Sequence, residues 1–137
     1  MNLLRRCAIA VAFIAGACTM SADTALAERA VDVFHEMLNA GQFEAIYAAS
    51  ADDMKKAAQR EEFVALLEAV HRKLGVTKSW SKRGWNASYN TSGRFMTLAY
   101  STIYEEGDAA EQFVYRLADG KALLAGYHIN SAALILK

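Results

Sequence analysis

The sequence predicts an α+β fold in which N-terminal helices pack on a four-stranded antiparallel sheet. Three observations carry it. Apolar residues recur at helical spacing up to Leu74, and beyond Gly75 the period shortens to two, the mark of strands. Asp119-Gly120 sits between two runs of alternating apolar residues, a pattern that calls for a type I′ hairpin because both central residues need positive φ. Turn clusters at Asn90-Thr91-Ser92-Gly93 and Glu105-Glu106-Gly107-Asp108 divide the rest of the C-terminal half into strands. Helices followed by a meander make the α+β layout.

Taken in order, the chain opens with Arg5 and Arg6, an apolar run over residues 7–17, and then small residues, which is the layout of a secretory signal. The run is too short for a bilayer, which takes about 20 apolar residues. Residues 1–27 are therefore expected to act in export and residues 28–137 to form one α+β domain. Two processing sites compete. Ala25-Leu26-Ala27 fits release of a soluble periplasmic or secreted protein starting at Glu28. Ala15-Gly16-Ala17-Cys18 resembles a lipobox, in which Cys18 carries the lipid and the product is an outer-membrane lipoprotein.

In the domain, Ala30, Val33, Phe34, Met37 and Leu38 place a helix over 28–40, and Gly41 stops it. A short helix follows over 42–49. Ser50-Ala51-Asp52-Asp53 reads as an N-cap with acids in the first turn, opening a segment to residue 58. Residues 60–74 form the longest expected helix, with Phe63, Leu66, Leu67, Val70 and Leu74 on one stripe. Acids begin that helix, His71, Arg72 and Lys73 end it, and Gly75 closes it. Strands are expected over 76–89, with a bulge at Gly84, over 94–104, and on both sides of Asp119-Gly120. A two-residue loop fixes the register, pairing Tyr115 with Leu124, Phe113 with Gly126 and Glu111 with His128. The apolar tail 132–136 either finishes the last strand or docks on a partner.

Composition limits function. The apolar fraction of 54% excludes a disordered chain. Taking Arg5, Arg6 and Asp23 from 15 basic and 15 acidic residues leaves a formal charge of −1. Such a balance offers no general attraction to nucleic acid or anionic lipid, so membrane contact is expected only through an anchor at Cys18. Cys7 and Cys18 are the only cysteines, and a chain starting at Glu28 holds no disulfide or thiolate site. No cofactor or metal site is expected, since three His without an acidic cluster do not make a ligand set.

Glu111 and His128, placed opposite one another by the hairpin register, are the candidate acid–base pair. With no third residue to orient the imidazole and no nucleophile, a charged pair closing the sheet is the favoured reading. His35 and His71 are placed at polar helix edges. Lys78, Lys82, Arg83 and Arg94 with Trp80, Trp85 and Tyr89 could hold single-stranded nucleic acid, but a near-neutral exported protein favours a solvated strand face or a protein contact. The resulting expectation is a non-enzymatic binding module for a small molecule or a protein, with Glu111, His128, Tyr115 and Trp80 as binding candidates. The alternative is a small hydrolase or isomerase using a pocket in the sheet cone with Glu111 and His128.

The element order resembles the cystatin-like or NTF2-like roll. Three stretches, Gly41 to Tyr47, Arg72-Lys73-Leu74-Gly75 leading into Lys78-Ser79-Trp80, and Ala110-Glu111 with Asp119-Gly120 and Ala125-Gly126-Tyr127, resemble a family of bacterial secreted proteins, domain of unknown function 4019. That resemblance implies a curved sheet wrapped on a helix and an exported location, but no reaction.

Overall fold

The computed structural model describes residues 15–136, with side chains from Met20 onward. The basic start and most of the apolar run of the expected export signal lie outside the described residues, as does the Cys18 side chain. Nine elements follow in order: helices α1 (Ala15–Asn39), α2 (Phe43–Ala48), α3 (Asp52–Ala57) and α4 (Arg60–Leu74), strands β1 (Thr77–Asn90), β2 (Gly93–Tyr104), β3 (Gly107–Ala118) and β4 (Lys121–Asn130), and helix α5 (Ala132–Leu136). The strands form one antiparallel sheet in the order β1-β2-β3-β4. The expected α+β architecture is therefore the observed one.

The helix that covers the sheet is α1, and the segment 60–74 is not the longest helix. At 25 residues α1 is the longest helix, and it meets β2, β3 and β4. Its core face is Ala27, Val31, Phe34, His35 and Leu38, all with at most 4% of their surface exposed. Helix α4 instead lies chiefly on α1, α2 and α5. Its stripe is rotated from the expected one, for Val64 is buried and Leu66 is 38% exposed. Ser50 does not cap α3 either. Its hydroxyl donates to the Ile46 carbonyl, and Ala51 is the capping residue, with no side-chain bond. The tail does not finish the last strand: it turns into α5, tied down by Lys73 Nζ donating to the Leu134 carbonyl and Ser131 Oγ donating to the Asp108 carbonyl.

Met96, Leu98, Tyr100 and Tyr104 of β2 and Phe113, Tyr115 and Leu117 of β3 face inward, as the alternation requires. The ladder of β1 slips between Lys82 and Gly84, the bulge expected there. Two further slips are new, one between Thr77 and Ser79 and one between Val114 and Tyr115, and the latter moves the candidate site. Tyr115 still pairs with Leu124, but Val114 pairs with Gly126, so Ala125 is an extra residue on β4. Every pair beyond it moves by one: Phe113 faces Tyr127, Gln112 faces His128 and Glu111 faces Ile129. Tyr127 thereby enters the core instead of the outer face, and His128 leaves it.

The step from helices to sheet turns on Gly75. It has φ +78° and ψ −156°, a region open essentially to glycine, and a Cβ there would stand 2.6 Å from Glu105 Oε2 and 3.0 Å from Glu105 Cβ. Gly75→Ala is expected to lower unfolding stability by about 1–3 kcal/mol. Gly84→Ala, whose Cβ meets nothing within 4 Å, is expected to change it by no more than about 1 kcal/mol. Denaturant midpoints of the two variants check this.

Candidate functional site

Beneath α1 the sheet places a carboxylate where apolar packing would be expected. Glu111 is 2% exposed and sits in a row of inward residues on β3. A buried carboxylate is costly unless its lone pairs are met. Here they are. With its proton on Nε2, His35 donates to Oε1 at 3.0 Å, Tyr104 Oη donates to Oε1 at 3.2 Å, and Tyr127 Oη donates to Oε2 at 2.8 Å. The Thr102 hydroxyl, also fully buried, faces the carboxylate but does not complete a hydrogen bond. Burial raises the carboxyl pKa, and the hydrogen bond and charge of His35, joined by Tyr127, outweigh it, holding Glu111 below the usual range. The tyrosines move the other way. Burial and then the Glu111 charge raise Tyr104 and Tyr127, so both keep their protons to donate. Burial, followed by Glu28 and Asp32, pushes Tyr100 up to about 12.

Aromatic rings wall this cluster. The Trp80 ring lies 4.5 Å from His35, and its Nε1 donates to Asp32 Oδ1 at 2.7 Å, so β1 and α1 are joined beside the imidazole. Phe113 stands 5.7 Å from the His35 ring at 83° and 5.0 Å from Phe34 at 77°, the edge-to-face geometry that aromatic pairs prefer. Tyr115 stacks on Phe113 at 6.2 Å. Its hydroxyl, like His35 Nδ1, has no hydrogen-bond partner among the described residues.

Of the four candidate binding residues, the structure brings Glu111, Trp80 and Tyr115 into one neighbourhood and leaves out His128. The expected Glu111–His128 pair is corrected: the Ala125 bulge turns His128 outward, where it is exposed, and the imidazole beside Glu111 belongs to His35. His35 is wholly buried, not at a polar helix edge. Its spacing from Val31 and Leu38 was the available signal, since residues four before and three after it are both core.

An open space lies on the flank of α1. A cavity of about 470 Å³ runs between α1, α2 and the β3–β4 hairpin. Leu26, Ala30, Val33 and Met37 line its α1 side, with Ile46 and Leu124 among the residues opposite. Phe34 and Tyr115 line it too and so divide it from the Glu111 cluster. Four of its lining residues, 26, 30, 33 and 37, form a second apolar stripe on α1, beside the core face; Val33 is 50% exposed. Arg29 and Lys121 are the charged residues of the lining, and neither forms an ion pair with a described residue. Elsewhere two basic side chains of the strand face are paired, Lys82 with Glu28 and Arg94 with Asp23.

A closed polar cluster under a helix, with an apolar groove open on the helix flank, defines a small α+β domain built around one covering helix. Residues 30–127 match the family model described as "Protein of unknown function (DUF4019)", and the chain belongs to that family. No curated protein matches the sequence.

Proposed function

We propose that this chain is an exported, non-enzymatic binding module that takes a small apolar ligand in the groove between α1, α2 and the β3–β4 hairpin. The observation that carries this reading is the groove itself, which has the size of small-ligand sites and walls that are apolar but for a few polar groups. The Glu111 cluster is not where a substrate would react. Its carboxylate is sealed by three donors and its imidazole is wholly buried. Chemistry there would need an opening through Phe113, Phe34 or Trp80, and fold alone is a poor guide to activity. Export rests on the basic and apolar start of the sequence. Of the two processing junctions, the one ahead of Cys18 keeps Ala27 in the core and Asp23 on Arg94.

Binding of N-phenylnaphthylamine, a neutral apolar fluorophore, tests the groove. The probe is expected to bind with saturable enhancement, and Val33→Glu, which sets a charge in the groove at an exposed position, is expected to weaken it about tenfold or more with little change in unfolding temperature. Ile103→Glu, on the outer face of the sheet, is expected to bind like the wild type. Loss of binding in both variants, or in neither, would count against the groove.

A further inference from the structure

The groove is apolar along its length but not neutral. Its α1 wall, from Leu26 to Met37, extends about 16 Å at 1.5 Å per residue, the scale of one extended medium-length acyl chain. The charged side chains of the lining are both cations, and no Asp or Glu joins them. Arg29 comes from α1 and Lys121 from the start of β4, so two separate elements deliver the same sign of charge to one cavity. Neighbouring charges do not neutralise them. On α1, Glu28 is paired with Lys82 and Asp32 accepts from Trp80, while near the hairpin Asp53 is held by both sides of the Arg116 guanidinium. Arg60 and Arg116 find carboxylates; Arg29 and Lys121 border apolar surface instead.

Resting on the groove reading, we propose that the ligand is a single-chain amphiphile with a carboxylate headgroup, its chain along Ala30, Val33 and Met37 and its headgroup held by Arg29 and Lys121. The chain removes the exposed α1 stripe from water. The carboxylate suits a guanidinium, which offers it two parallel N–H donors, with the ammonium as a second positive charge. A cavity of about 470 Å³ holds one such chain, which sets a fatty carboxylate apart from a two-chain lipid.

Equilibrium binding of dodecanoate and of dodecanol, both below their aggregation limits, separates the headgroup from the chain. Dodecanoate is expected to bind about tenfold or more tightly than the alcohol, as charge-assisted hydrogen bonds to a desolvated carboxylate would give. Arg29→Gln combined with Lys121→Gln is expected to bring the ratio of the two affinities to about one, each single variant falling between. Lys78→Gln, on β1 and exposed, is expected to keep the wild-type ratio. Equal affinity for acid and alcohol in the wild type would overturn the headgroup assignment while leaving the groove reading standing. Binding of neither would overturn both. Attachment to phosphatidylglycerol vesicles without affinity for free dodecanoate would overturn the proposal in favour of a membrane surface.

Discussion

Glu111→Ala and His35→Ala are each expected to destabilise the protein by about 1–3 kcal/mol, the cost of leaving a buried hydrogen-bonding group without its partner. In His35→Ala a carboxylate with almost no access to water keeps only the two tyrosine donors. In Glu111→Ala the hydroxyls of Tyr104 and Tyr127 and the Nε2 of His35 all lose their acceptor. Glu111→Gln, which keeps the shape and one carbonyl acceptor, is expected to fall well short of that loss. Because the two residues share one bond, the double variant His35→Ala/Glu111→Ala should cost less than the single losses added together. His128→Ala should stay within about 0.5 kcal/mol of the wild type, since that side chain is on the solvent face. Chemical unfolding of the five proteins decides it. A Glu111→Ala protein as stable as the wild type would refute the structural role of the cluster.

The same carboxylate gives the stability a pH dependence of fixed sign. Its pKa in the fold lies below the ordinary value, which is about 4.3 for an unfolded glutamate. Between those two values the unfolded chain binds the proton and the folded one does not. Its contribution is thus complete above the unfolded pKa and is lost as pH falls through it towards the folded value. Tyr104 and Tyr127 stay neutral throughout that window. Glu111→Gln is expected to flatten the acid side of the stability profile below about pH 5.

The sheet was largely legible because its punctuation is local. Asp119, with φ +53°, and Gly120, with φ +70°, form the turn that Asp-Gly predicts, and the pairs nearest it, down to Tyr115 with Leu124, stand in the expected register. Register fixed at a turn holds only as far as the first bulge, and that is where the candidate site went wrong. The clue was present in Tyr127-His128-Ile129-Asn130. An unbroken ladder would turn His128 and Asn130 inward and leave Tyr127 and Ile129 in water. One extra residue at Ala125 reverses this, sending the apolar pair in and the polar pair out. His35 was hidden for a different reason. A histidine on a core stripe makes sense only with an acceptor, and its acceptor is 76 residues away on another element. Likewise, nothing local distinguishes the stripe of α1 that packs on the sheet from the one that faces the groove.

Phe113→Ala is expected to cost about 3–5 kcal/mol and to lower the unfolding temperature by roughly 10–20 °C. Phe113 has no exposed surface, and its ring lies within 6.2 Å of the rings of Phe34, His35, Tyr100, Tyr115 and Tyr127. Those five come from α1 and three strands, so truncation leaves a hole at the junction of every layer, which none can fill without moving from the others. Val114 is next in sequence but points to the other face, half-buried, so Val114→Ala should cost clearly less. If Phe113→Ala does not fold, Phe113→Leu keeps most of the volume and is expected to lose no more than about 1.5 kcal/mol. The two core substitutions also bear on the groove, because Phe34 belongs to both the Phe113 contact and the groove wall. A Phe113→Ala protein that folds should therefore bind N-phenylnaphthylamine less tightly although Phe113 does not line the cavity. Unchanged stability would mean that the ring packing does not hold the layers together. Unchanged probe binding in a destabilised protein would show that the groove wall is independent of the aromatic core behind it.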